Sequence, residues 1–204
     1  VTDIIERFTS EFNAFSGSSL HLAATPGERL DPARWDRAAT LDDFIAHAET
    51  HRELWQTTRR LAHISDTHRD AVAALDAACR LLVLLEDWCG DAIHTVPTVL
   101  RMVEANPLLA LRVVRRDEHD DLMAAHLTGR ARAIPVVIAY DAQGRERGWW
   151  GPRPSPLEAW VQHEGRPMDK DDRYKAIRTW YARDRGATTS AEMLQLLRHA
   201  TARP

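Results

Sequence analysis

The spacing of apolar residues changes near position 80, and the two stretches call for different structure. Upstream the spacing is helical. Ile4, Ile5, Phe8, Phe12 and Phe15 share one face of a helix over residues 1–15. Residues 16–32 collect Ser, Gly and Pro and read as a loop. Asp31 followed by Pro32 predicts a helix start, with a capping carboxylate and a proline where no N–H is needed. Thr40 opens a long helix to about His63, carrying Phe44, Ala48 and Trp55. Ser65 to Cys79 predicts another, with Ala71, Ala74, Leu75 and Ala78 on one side.

Downstream, Leu81-Leu82-Val83-Leu84-Leu85 is a short continuous apolar run, as a strand buried on both faces requires. A helix is predicted from about Asp91 to Asn106, a second strand over Leu108 to Val114, and a helix from Asp117 to Leu127. Pro135 to Tyr140 reads as a third strand. Asp141-Ala142-Gln143-Gly144 supplies turn chemistry, and Arg145 to Trp150 returns as an antiparallel partner. Helices near 155–163, 170–184 and 189–201 follow. The order β-α-β-α-β-β-α between helical ends predicts an α/β fold, a mixed four-stranded sheet with helices on both faces. The expected organisation is an N-terminal helical extension over 1–79, a core over 80–163 and a C-terminal helical extension over 164–204, packed as one unit.

Composition narrows the function classes. Of 204 residues, 44% are hydrophobic, enough for a core, and 27 basic against 30 acidic residues leave a net charge of −3. That balance predicts neither a nucleic-acid nor an anionic-membrane partner. No apolar run approaches the ~20 residues that span a bilayer. Val1 to Arg7 has no basic flank followed by an apolar stretch, so no secretory signal is expected there. Two cysteines make no disulfide framework and favour a reducing compartment, so the expected location is cytoplasmic.

Of those cysteines, Cys89 is the candidate for chemistry. It stands in Trp88-Cys89-Gly90-Asp91-Ala92, where a buried strand hands over to a helix. At a helix N-terminus a thiol faces unpaired N–H groups and the positive end of the dipole, and both favour the nucleophilic thiolate. Gly90 is expected to let the backbone turn tightly beside the sulfur. Asp91 stabilises the helix start, but its charge opposes the thiolate. Cys79 lies roughly 20 Å away along the strand, beyond the ~7 Å that a disulfide spans between Cα atoms.

Residues 80–163 resemble the thioredoxin superfamily. Trp88-Cys89-Gly90 after an apolar strand matches its active-site opening, and Pro97 matches the kink proline of its active-site helix. Arg132-Ala133-Ile134-Pro135-Val136 resembles its R-G-I-P-T segment. Trp150-Gly151-Pro152-Arg153-Pro154 and a tail with Trp180-Tyr181-Ala182-Arg183 are similar to an uncharacterised bacterial branch. The resemblance implies a thioredoxin-like fold, a cis peptide bond before Pro135, and a substrate groove at Ile134, Pro135 and Trp150. It also marks two departures: Ala92 replaces the resolving cysteine, and Val83 the buried acid that assists proton transfer.

Other candidates are weaker. His47 and His51 lie four apart on the predicted helix, and His119 leads towards His126, yet neither makes a metal-ligand spacing. No metal and no cofactor is expected. His94 is more than one turn from Cys89. Arg153 reads as a surface charge. Two functions follow from the resemblance. In the first, a monothiol oxidoreductase acts through Cys89 on protein or low-molecular-weight thiols and disulfides, with an external resolving thiol. In the second, the chain is a non-redox binding or adaptor module. The sequence leaves the oligomeric state open.

Overall fold

Leu81 to Leu85 have no exposed surface, as an unbroken apolar run demands, and they form the last five residues of an inner strand. The computed structural model describes residues 18–25 and 27–202. The helix expected over residues 1–15 lies outside the described residues. The strands are β1 (Leu20–Leu22), β2 (Cys79–Leu85), β3 (Leu109–Arg115), β4 (Val136–Tyr140) and β5 (Glu146–Trp150). They form one mixed sheet in the order β1-β5-β4-β2-β3. β2 and β3 are parallel, with Val83 opposite Val113, while β4 runs antiparallel to both β2 and β5. The four expected strands are all present.

The fifth strand, β1, falls inside the stretch read as a loop. Its three residues pair antiparallel with β5, Leu20 opposite Trp150 and Leu22 opposite Gly148. Three partly exposed residues carry too little pattern to stand out; the pairing is set by the partner strand. Gly148 sits at φ 149°, and a Cβ there would lie 2.4 Å from the His21 carbonyl oxygen, so only glycine admits this approach.

Before β2 come α1 (Pro32–Arg37), α2 (Leu41–Ala46), α3 (Arg52–Leu61) and α4 (Asp66–Ala73). Their starts follow the capping chemistry: the side chains of Asp31, Thr40 and Ser65 accept from the backbone N–H groups of Ala33, Asp43 and His68. The single helix expected from Thr40 to His63 is two. It breaks at His47 to His51, where His51 takes a left-handed conformation. In the break, the N–H groups of Glu49 and Thr50 donate to the Asp87 carboxylate at 2.8 and 3.2 Å. A buried carboxylate thus replaces the helical hydrogen bonds that the spacing of Phe44, Ala48 and Trp55 favoured. The helix expected to reach Cys79 ends at Ala73, and Cys79 opens β2 instead.

After β2 come α5 (Gly90–Val103), α6 (Asp120–Ala125), α7 (Ser155–Trp160), α8 (Lys170–Asp184) and α9 (Ala187–Thr201). The β4–β5 hairpin closes on Asp141, whose Oδ1 accepts from the N–H groups of Gln143 and Arg145. α9 packs across β5 and against α5, with Met193, Leu196 and Leu197 fully buried. Leu157, Trp160, Ile177 and Tyr181 form a second, separate apolar cluster between α7 and α8.

Candidate functional site

Two buried acids fix the loop that carries Cys89. Glu86 accepts from Arg115 Nη1 and from the Asp117 N–H, both at 3.1 Å. Asp87 takes the two N–H groups from the α2–α3 break, and its carbonyl accepts from Trp55 Nε1 at 2.9 Å. The Cys89 N–H then closes a turn on the Glu86 carbonyl at 3.1 Å. These contacts deliver Cys89 to the first position before α5, in extended conformation at φ −81° and ψ 107°. The sequence-based placement at the helix start is met.

The sulfur is not open to solvent. Cys89 is 6% exposed, and its Sγ donates to the Ile134 carbonyl oxygen at 3.3 Å. Burial, with the Asp91 carboxylate, pushes its pKa up to about 12, against the pull of the Ala92 and Asp91 N–H groups and the Arg153 charge. Favourable helix-end geometry is present but overridden. Cys79 is likewise a free, buried thiol, pushed up to about 12 chiefly by burial.

Each predicted site residue has a definite place. Trp88 is 47% exposed, with the Arg116 guanidinium carbon 5.1 Å from its ring centroid. Gly90 meets no atom within 4 Å of a built Cβ and has no positive φ, so the expected steric need for glycine is absent. Ala92 is fully buried in the first turn of α5. Ile134 and Pro135 are buried beside the thiol, and the bond between them is cis. Gly151–Pro152 is a second cis bond. Trp150, expected in the groove, is instead completely buried, and its Nε1 donates to Glu192 at 2.6 Å.

Sequence reasoning missed what covers Asp91. Its Oδ1 accepts from Tyr181 Oη at 2.9 Å, and its Oδ2 pairs with Arg153 Nη2 at 2.8 Å. Arg153 also binds Glu158 at 2.6 Å, so this arginine is the centre of an ionic network and not a surface charge. Burial raises the Asp91 pKa, with Arg153 and Tyr181 opposing. Tyr181 also stacks on His94, ring centroids 4.8 Å apart, which accounts for His94 without the sulfur. Ninety residues separate Asp91 from Tyr181, and no local motif reports a pairing that distant. Among the described residues, no group of three or more His, Cys, Asp or Glu is disposed to hold a metal ion. His47 turns its Nδ1 to the Asp43 carbonyl instead. Among the same residues, no helix is long and apolar enough to cross a membrane.

The comparisons agree with this geometry. A crystallised protein of unknown function from Pseudomonas aeruginosa is similar over 79% of this chain and 93% of its own, at 20% identity and a TM-score of 0.63. A crystallised HIV epitope-scaffold covers 82% and 98%, at 18% identity and the same TM-score. At such identities the likeness is one of fold. No curated protein matches significantly. A family model described as Thioredoxin matches residues 38–176. With that match over most of its length, and with its thiol, helix start and cis-proline arranged as described, the chain belongs to this thioredoxin family.

Proposed function

We propose that the protein is a thioredoxin-fold binding module whose Cys89 thiol is stored protonated. The observation that carries the reading is the state of Cys89: buried, hydrogen-bonded to Ile134 and pushed up to about 12. At pH 7 such a thiol is thiolate in roughly one molecule in 10⁵, against a few per cent for a free cysteine near pKa 8.5. The higher nucleophilicity of a more basic thiolate recovers only part of that deficit. Ala92 supplies no second thiol, and Val83 no acid. What the loop offers outward is Trp88 under Arg116, the pairing of aromatic and guanidinium that anchors protein interfaces. Alkylation of Cys89 across pH tests the reading. It expects a rate still rising tenfold per unit beyond pH 10.

Monothiol exchange is the second reading, favoured by the Ala92 and Asp91 N–H groups and the Arg153 charge near the sulfur. In that chemistry, Cys89 thiolate attacks a disulfide, forms a mixed disulfide and expels one thiolate. An external thiolate then attacks the mixed disulfide and releases Cys89. An alkylation inflection well below ~8.5 selects it.

A further inference from the structure

The last two helices are held very differently. Both α8 and α9 have 15 residues, yet α8 buries Ile177 and Tyr181 whereas α9 buries nine. Hence α9 belongs to the main core, and α8 rests on the small satellite cluster with Leu157 and Trp160. Between them, Arg185 and Gly186 both stand at positive φ, 51° and 79°, and form a sharp corner. A helix with so little apolar burial, set off by such a corner, opens at lower free energy than the core behind it.

Tyr181 ties α8 to the site. Its ring stacks on His94 and its hydroxyl donates to Asp91, so it lies across the start of α5, the helix that Cys89 caps. When Tyr181 departs, Asp91 keeps Arg153, and Arg153 keeps Glu158. Opening therefore breaks one charge-assisted hydrogen bond, one ring stack and the small apolar cluster, without stranding a buried charge.

We propose that α8 is a latch over the Cys89 loop, fastened at Asp91, and that a partner drawing Tyr181 away exposes the thiol. The inference rests on the reading that the thiol is stored in the closed form, and supplies its regulation. The test compares Tyr181→Phe with the parent chain, both carrying Cys79→Ser. At pH 8, iodoacetamide is expected to modify Cys89 at least tenfold faster in Tyr181→Phe. Amide exchange in α8 is expected to precede exchange in α9 in the parent, and to accelerate further in the variant while α9 is unchanged. Equal alkylation rates overturn the latch, as does exchange of α8 and α9 as one unit. A parent chain whose Cys89 already reacts like a free thiol removes the stored-thiol reading, and the latch with it. Slow alkylation in both chains sinks the latch alone.

Discussion

Trp150 Nε1 lies 2.6 Å from a carboxylate oxygen of Glu192, and both residues are buried. The second Glu192 oxygen accepts from the Ser155 N–H at 2.9 Å. One side chain of α9 thus satisfies the last residue of β5 and the first of α7. Replacing Glu192 with Ala strands the buried Trp150 indole donor and the part-buried Ser155 N–H, at up to ~1–3 kcal/mol each. Glu192→Ala is expected to lose on the order of 2–4 kcal/mol, read from urea denaturation. A loss below measurement error would show that the donors find other partners.

Gly148 and Gly90 make opposite predictions. A Cβ at Gly148 meets the His21 carbonyl oxygen at 2.4 Å in a backbone conformation that side chains avoid. Gly148→Ala is therefore expected to cost on the order of 2–4 kcal/mol and to speed amide exchange in β1. Gly90→Ala meets open space at a helix start. It is expected to be neutral or stabilising by up to about 1 kcal/mol, with Cys89 alkylation unchanged. A thermal melt of each variant decides both.

His126 gives a pH signature. Burial works to lower its pKa, but hydrogen bonding to Glu146 and to the Leu122 carbonyl outweighs it, and the net direction is up. A pKa raised by folding contributes stability that is fully present below the unfolded value of ~6.5. That contribution is lost as pH rises through the folded value. His21, lowered by burial and by His126, works in the opposite sense. His94 and His119 are lowered as well, chiefly by burial, so the signature is a difference. In a His21→Gln background, unfolding free energy is expected to change less favourably from pH 6 to pH 8 with His126 present than in His126→Gln. An equal slope with and without His126 contradicts this.

Trp88 separates binding from stability. Half-exposed beneath Arg116, it contributes little to the core. Trp88→Ala is expected to change stability by no more than about 0.5 kcal/mol. For peptides selected on the wild-type surface, the same change is expected to weaken binding at least tenfold, with Cys89→Ser leaving it intact. Undiminished peptide binding to Trp88→Ala would move the partner surface elsewhere.

Legibility in the sequence followed the range of the interaction. The strands at Leu81–Leu85 and Val136–Tyr140 were readable because burial on both faces imposes an unbroken apolar run. The caps at Asp31, Thr40 and Ser65 were readable because a cap reaches only two or three residues. Cys89 was placed correctly at its helix start, but its burial was not legible, since the carbonyl its thiol meets, that of Ile134, lies 45 residues away. The helix break at His47–His51 was hidden because its cause, Asp87, lies 38 residues from Glu49. Trp150 was expected in the substrate groove because nothing local announces Glu192.

The clamp on Asp87 sets a limit on how this protein could be shortened. A chain trimmed to begin at Arg80 would keep the stretch that carries the thioredoxin resemblance. It would also discard Glu49, Thr50 and Trp55, removing two donors from the buried Asp87 carboxylate and one from the Asp87 carbonyl. The cysteine turn would then unravel toward water from its own leading edge. Minimal fragments of this protein should be cut ahead of Thr40, not at the first core strand.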